Sequence, residues 1–370
     1  MTSGPLEGLR VIDASTVVAG PNCARYLADF GADVIKVERP DGGDSARTMG
    51  FLHPDGDSLF FKLLNRNKRT IALDFKNEDD LATMHRLCAS ADVLVENFRP
   101  GTLERLGLAP DDLLAANPRL VVTRITGFGQ EGPYSHRPGF ATLAEAMSGF
   151  AALNGEPDGP PLLPPIALTD EVTALAAAFA TMVALHSGVG QVVDVNLLES
   201  LFQIMGPLMS AYRVLGYQQP RLGSGIPYSV PRGTYQCCDG AWVAVSTSAE
   251  TVARRVMALI GVGDDPRFVS FDGRIAHREE IDRLMSEWIG ARTEGDVLAA
   301  FEDAHAAIAP ILDMEGIAND PHYAARESII EVDDIPMQGL IARLSATPGE
   351  VRWAGRALGA DTDEIVSELE

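Results

Sequence analysis

Residues Pro164–Ser200 read PPIALTDEVTALAAAFATMVALHSGVGQVVDVNLLES. After Asp170 and Glu171, the apolar residues Val172, Leu175, Phe179, Met182 and Val183 recur at helical spacing. Alanine, the best helix former, fills the positions between them. Gly188 and Gly190 supply the stop, and Gln191 to Val195 follows as a β-branched strand. This pattern predicts a long helix with Thr169 or Asp170 as its N-cap. An aspartate there has an ordinary use, because a cap contributes about 0.5–2 kcal/mol by accepting an orphan N–H. The same helix end, with its positive dipole, would also hold a carboxylate ionised. In a closed pocket such a carboxylate can act as a nucleophile. The local sequence leaves both uses open.

Upstream, short apolar strands alternate with helices. Strands are expected at Leu9 to Ala14, Val34 to Glu38, Ile71 to Phe75, Val93 to Phe98 and Leu120 to Ile125, and helices at Pro21 to Phe30 and Asp79 to Ala89. That alternation implies a parallel sheet with helices on its faces. Glu38 ends the second strand, where a dinucleotide enzyme would hold a ribose. The turn after the first strand is STVVAGP, however, without the glycines of G-x-G-x-x-G, and this argues against NAD. Gly127 to Pro165 is rich in Gly and Pro around one helix, about Ala141 to Ala152, and loops of that length commonly line a site.

Beyond Ser200 a helix is expected to about Leu215, then a connector from Pro220 to Gly233. Asp239-Gly240 between TYQCC and AWVAVS signals a hairpin, and helices follow at Glu250 to Ile260, Arg278 to Ile289 and Glu294 to His305. This region reads as a separate α+β lobe. From Ile308 to Arg343 short strands are expected (IAPIL, SIIEV, LIARL), then a last helix, Asp363 to Leu369, with the last strands returning to the first lobe.

With 370 residues, two lobes with sizeable cores are possible. The formal charge of −22 argues against nucleic acid as a partner. All four lysines (Lys36, Lys62, Lys68, Lys76) fall early, near Arg39, Arg66, Arg69, Arg99 and Arg105. This basic region is either a solvated surface or a seat for a small anion. No apolar run reaches the roughly 18–20 residues that span a bilayer, and the N-terminus lacks the signal-peptide pattern. A cytoplasmic enzyme without a membrane partner is therefore expected. Cys23, Cys88, Cys237 and Cys238 lack metal spacing and are expected to be reduced, with Cys237 and Cys238 on opposite faces of a strand. The scattered histidines give no metal site.

Several stretches taken together resemble the family III CoA-transferases: GLRVIDASTVVAGP, LADFGADVIKVERPDGGDSAR, NRNKRTIALDFK, VENFRPGTLERLGL, TGFGQEGPYSHRPGF, NGEPDGPP and GQVVDVNLLES. The resemblance is ordered along nearly the whole chain and is weakest after Ile260. It implies an α/β fold: a Rossmann-like large domain built from both chain ends (1–205 and 325–370), a linker (206–232) and a smaller central α+β domain (233–324). It also implies an interlocked homodimer. Asp170 would be the nucleophile, attacking an acyl-CoA thioester so that CoA passes to a carboxylic acid. Coenzyme A enters as a thioester substrate, with no permanently bound cofactor.

By position, Arg39 and Arg105 would meet the CoA phosphates, where arginine forks fit. Leu73, Phe75, Asn97 and Phe98 would line the adenine and ribose. Val17, Val18 and Ala19 would lie beside the thioester, with N–H groups for a developing oxyanion. For Leu73, Phe75 and Val17 a plain core role is the alternative. Phe140 and Ala141 stand where related racemases carry a His-Asp pair, and Phe140 can serve as neither acid nor base. Val18 replaces a glutamine of some relatives, so the acyl pocket is expected to be less polar than an oxalate site. The HSGVGQ turn is shorter than usual, and Gly223-Ser224-Gly225 is either a short lid or a linker. An acyl-CoA racemase or isomerase, and a CoA-binding protein without turnover, are the alternative functions.

Overall fold

Strands β1 (Arg10–Asp13), β2 (Asp33–Glu38), β3 (Lys68–Ala72), β4 (Val93–Glu96), β5 (Val121–Thr126) and β6 (Gln191–Asn196) form one parallel sheet in the order β3-β2-β1-β4-β5-β6. The structure is a computed structural model and describes residues 4–370. Strand order reverses between β1 and β4, which opens a crevice at the carboxyl edge of the sheet, the usual place for ligands in such folds. The chain divides into two compact units, one of Met1–Phe150, Leu163–Gly206 and His322–Glu370, the other of Ala151–Leu162 and Pro207–Pro321.

In the first unit the helices include α1 (Ala19–Asp29), α2 (Leu59–Leu64), α3 (Glu78–Ser90), α4 (Thr102–Arg105), α5 (Pro110–Ala116), α6 (Ala141–Met147), α7 (Phe150–Leu153), α8 (Leu168–Ser187) and α9 (Leu197–Gln203), with a last one at Thr362–Ser367. Residues 150–153 of α7 straddle the division. A helix joining two parallel strands runs back against them, so its N-terminus lies at the carboxyl edge. Both α1 and α8 are such crossovers. They pack side by side through small residues, Ala24 and Ala28 with Ala174, Ala177 and Ala178, in the core on one face of the sheet. The opposite face is covered by Met84 and Leu87 of α3 with Leu103 and Leu113.

Three expectations change here. The helix foreseen from Ala141 to Ala152 breaks into α6 and α7 at Gly149, whose φ of 95° ends a helix. β3 starts at Lys68, not Ile71, because the basic run before it is interior. Lys36, Arg66 and Lys68 have 0% exposure. The Lys68 ammonium donates to Asp13 (2.8 Å), Asn65 (2.9 Å) and the Pro21 carbonyl (2.6 Å). Much of the apparent basic surface is thus a set of buried ion pairs. Finally, α8 is 20 residues long and apolar enough, by length and composition alone, to cross a membrane, contrary to the sequence expectation. Its Thr173, Ala174, Ala177, Thr181 and Ala184 are buried along one face, two acids occupy its first turn, and Leu175, Phe179 and Val183 on another face stay exposed.

In the second unit, β7 (Arg232–Gln236), β8 (Trp242–Ser246) and β9 (Ile308–Pro310) form an antiparallel sheet. Its core joins Val243 and Val245 to Met257, Phe268, Met285 and Phe301 of the surrounding helices and loops. IAPIL therefore closes this sheet, because β9 pairs with β8 and does not return to the first unit. LIARL is not a strand. Instead β10 (Ile329–Val332) and β11 (Ile335–Gln338) pair as a separate hairpin in the first unit. Cys237 and Cys238 do not lie on a strand as expected: β7 ends at Gln236, leaving Cys237 buried just past it and Cys238 exposed in the turn, and all four cysteines are free thiols.

Asp29 is a heavily used buried carboxylate. It accepts from Arg66 (2.9 and 2.6 Å), Arg25 (3.0 Å) and Asn67 (3.2 Å). Removing it strands two buried guanidinium groups. Asp29→Ala is expected to cost about 3–5 kcal/mol, read from urea unfolding. Arg267→Ala, which breaks an equally well-bonded fork to Asp265 and Glu280 at the surface, is expected to leave the midpoint in place.

Candidate active site

The segment after β1, Ala14-Ser15-Thr16-Val17-Val18-Ala19, has its backbone tied down one group at a time. The Ser15 N–H (3.1 Å) and hydroxyl both donate to Asp13. Asn97, just past β4, clamps Thr16 from both sides, accepting its N–H at 2.8 Å and donating to its carbonyl at 2.7 Å. The Val17 N–H donates to both oxygens of Asp44, at 3.0 and 3.2 Å. Val17 has a φ of 71°. A β-branched residue in that region costs roughly 1–3 kcal/mol and persists only where its surroundings enforce it. Gly20 completes the turn, since a Cβ there would lie 2.3 Å from the Ser15 side chain.

Past Val17 the pattern ends. Among the described residues the N–H groups of Val18, Ala19 and Gly20 have no hydrogen-bond partner, and α1 has no side-chain cap. The expectation that Val17 offers its N–H to an oxyanion is therefore corrected. Asp44 holds that group, and Val18 and Ala19 supply the open donors.

Asp170 is the third residue of α8. The N-cap is Ala167, so neither Thr169 nor Asp170 caps the helix. Its neighbours are bonded. The Thr169 hydroxyl donates to Glu145 at 3.0 Å, and Glu171 accepts from the Asn22 amide and from the Tyr26 hydroxyl at 3.3 Å. Those last two bonds tie the first turn of α8 to α1. Asp170 itself has no hydrogen-bond partner among the described residues. Burial, then the negative charges of Glu171 and Glu145, push its carboxyl up to about 6. The expectation that the helix dipole dominates is thus reversed, because desolvation and two like charges outweigh it.

The other candidates also gather at the carboxyl edge. Arg39 follows β2, is exposed, and donates to the Gly43 carbonyl at 2.9 Å. Arg105 ends α4, after β4, is exposed, and donates to the Thr102 hydroxyl at 2.7 Å. Leu73 and Phe75 follow β3. Leu73 is 4% exposed and belongs to the core, whereas Phe75 and Phe98 are half-buried and pack against the same cluster. Asn97 commits one amide N–H and its oxygen to Thr16. Val18 is buried.

Phe140 is exposed and Ala141 opens α6. The carboxylate that faces Asp170 is Glu145, one helical turn beyond Ala141 and 3% exposed. The reading of the sequence missed it, and the signal available was the i, i+4 step along α6. A cavity of about 1110 Å³ in the same unit is lined by Ala167, Glu171, Arg25, Tyr26, Arg326 and Arg343 among others, but not by Asp170. A large void is thus not the space the free carboxylate meets. No group of three or more potential metal ligands occurs among the described residues.

Comparison with known proteins adds three findings. Residues 6–362 match the model of "CoA-transferase family III". A succinyl-CoA–D-citramalate CoA-transferase of Chloroflexus aurantiacus is 38% identical over 99% of this chain and 94% of its own. The beta subunit of a succinyl-CoA–L-malate CoA-transferase from the same organism is 37% identical over 100% and 95%. Among solved structures, a CaiB/BaiF family protein from Brucella suis superposes with a TM-score of 0.89 at 31% identity, covering 100% of both chains.

The raised Asp170 carboxyl has a stability consequence. Its folded value, about 6, lies above the ordinary 3.8, so the folded state favours the proton. That contribution is complete below about pH 4 and is lost as pH rises through 6. Asp170→Asn, which never ionises, is expected to unfold at higher urea than the parent at pH 7.5, by on the order of 1–3 kcal/mol. The difference should shrink towards zero near pH 4. An Asn variant equal to or weaker than the parent at pH 7.5 would contradict the raised carboxyl.

Proposed function

The chain belongs to CoA-transferase family III and is a transferase of that kind, and from that premise we propose that Asp170 carries CoA transfer through covalent intermediates. One observation supports this most directly: a carboxylate at the carboxyl edge has no protein partner, while both acids beside it are bonded. A structural acid would have found a donor.

The Asp170 carboxylate attacks the thioester carbonyl of the donor acyl-CoA. The C–S bond breaks, CoA leaves as thiolate, and a mixed anhydride joins Asp170 to the acyl group. The thiolate then attacks the aspartyl carbonyl, releasing the donor acid and leaving an aspartyl-CoA thioester. The acceptor carboxylate reverses the sequence, re-forming an anhydride and then its own CoA thioester, and Asp170 returns as carboxylate. Each addition places negative charge on a carbonyl oxygen. The N–H groups of Val18 and Ala19, free at the N-terminus of α1, are the donors suited to it. Arg39 and Arg105 are the exposed cations at this edge for the CoA phosphates, with Phe75 and Phe98 offering apolar surface to the adenine.

The relatives named above take succinyl-CoA as donor, and we carry that to this chain: succinyl-CoA as donor and a short dicarboxylic acid as acceptor. A second copy of the chain completes the assembly in this reading. Leu175, Phe179 and Val183 form an apolar stripe along α8 at 43%, 73% and 54% exposure, more than an isolated surface helix carries. Phe179→Glu is expected to halve the mass seen by sedimentation if α8 meets a second copy, and an unchanged mass would remove that contact.

Incubation with succinyl-CoA, rapid quenching and peptide mass analysis are expected to find CoA or succinyl attached to Asp170. Asp170→Ala is expected to lose at least about 10⁴-fold in kcat, since the nearby carboxylates of Glu145 and Glu171 are held by Thr169, Asn22 and Tyr26. Full activity in that variant, with no adduct on the parent, would end the proposal. An α-carbon racemase would instead exchange deuterium from heavy water into the acyl group, for which Phe140 provides no acid or base.

A further inference from the structure

Asp44 lies in the loop after β2, far in sequence from Asp170, yet it is the group that sets the backbone of residues 15–18. Its carboxylate is 1% exposed. It accepts the Val17 N–H with both oxygens, the Lys36 ammonium at 2.9 Å and the Ala46 N–H at 2.9 Å. Its own N–H donates to Glu38 at 2.9 Å, and Glu38 is gripped by Arg47 at 2.7 and 2.8 Å. Gly43 makes room for this, since a Cβ there would come within 2.6 Å of Glu38. Burial alone would raise the Asp44 carboxyl, but the Lys36 charge and the Ala46 and Val17 N–H donors outweigh it and hold it below the ordinary range. Asp44 is therefore a fixed anionic acceptor.

A fold-only role explains the pair with Lys36 and the cap on Ser45–Thr48. It does not explain why a valine is held left-handed. An extended Val17 would be the relaxed state, and turning it would rotate the following peptide planes, where the open N–H groups of Val18 and Ala19 begin. We propose that Asp44 is a positioning residue for the transfer reaction. By holding the Val17 amide it keeps the Val17 backbone left-handed and aims the Val18 and Ala19 N–H groups at the thioester oxygen under attack. This role rests on the reading of Asp170 as nucleophile given above. Asp44 itself touches no reacting atom.

The test compares the parent with Asp44→Ala and Asp44→Asn. Urea unfolding establishes which variants are folded. Succinyl-CoA is then mixed with each, and Asp170 adduct formation in a single turnover is followed by mass, alongside steady-state kcat and KM. Asp44→Ala is expected to slow adduct formation and kcat by on the order of 10²-fold, with KM for succinyl-CoA within about threefold. Asp44→Asn keeps an oxygen acceptor but loses the charge, and about a tenfold loss is expected. A folded Asp44→Ala that acylates at the parental rate overturns the role, as does a loss confined to KM. If only Asp44→Asn folds, a parental rate in that variant overturns it. A parent that forms no adduct removes the nucleophile itself, and this outcome is distinct because it appears before any variant is compared.

Discussion

Two lysine ammonium groups, Lys36 and Lys68, are sealed under the carboxyl edge of the sheet with no exposure at all. An ammonium group in such a place is tolerable only among carboxylates and carbonyls with good geometry. Asp13, the last residue of β1, and Asp44, in the loop after β2, meet that need. Burial pulls Lys68 down to about 8 even with Asp13 against it. Burial works against Lys36 too, but Asp13, Asp44 and Glu38 outweigh it and keep it above the ordinary lysine range. Such a cluster is a poor source of net stability compared with apolar packing. Its effect is geometric. The lysines bond to the carbonyls of Ser15 and Pro21, on either side of the turn that enters α1, and their carboxylate partners hold the N–H groups of Ser15 and Val17. The backbone in that turn has little freedom left.

The parallel sheet makes this turn matter. With β1 and β4 adjacent and the order reversing between them, the turn after β1 opens into the crevice. The crossover helices then bring two N-termini to the same edge. α1 arrives with three N–H groups unspent, and α8 arrives with Asp170 in its first turn. Small side chains between the helices allow the close approach, and Asn22 and Tyr26 reach across to Glu171. A dinucleotide enzyme uses the same crevice with glycines that let a pyrophosphate lie on the helix end. Here Val17 and Val18 occupy that turn, and the N–H groups suit a single oxygen better than a diphosphate.

Much of this could be read from residues alone, and the failures share a cause. The alternation of β-branched runs with helices gave the sheet, and the alanine-rich run ending at Gly188 gave α8, because period and stop signals are local. Arg39, Asn97 and Arg105 were singled out by the family resemblance, and the strands they follow, β2 and β4, place them at the carboxyl edge. What could not be read depended on partners distant in sequence. Lys68 looked like surface because nothing near it reveals that Asp13, 55 residues away, waits for it. The bonds of Asn97 to Thr16, 81 residues earlier, could not be read either. Glu145 was passed over for Ala141, and only the folded helix shows which turn of α6 faces Asp170.

The condition of Asp170 follows from these arrangements, and it bears on why a carboxylate can do this work at all. A carboxylate at its ordinary acidity is a weak nucleophile and a good leaving group, so an anhydride made from it falls apart as readily as it forms. Burial with Glu145 and Glu171 raises the Asp170 carboxyl to about 6. At neutral pH most of it is still ionised, yet its basicity is greater than that of a free carboxylic acid. Each neighbouring acid takes its own donor, Thr169 for Glu145 and Asn22 of α1 for Glu171, so neither donor is spent on Asp170. In the proposed reaction its negative charge stays uncompensated until a carbonyl carbon arrives, and the open N–H groups of Val18 and Ala19 would then bind a developing oxyanion rather than the carboxylate itself. Withholding hydrogen bonds from the proposed nucleophile while reserving them for the oxygen of its target would favour the transition state over the ground state.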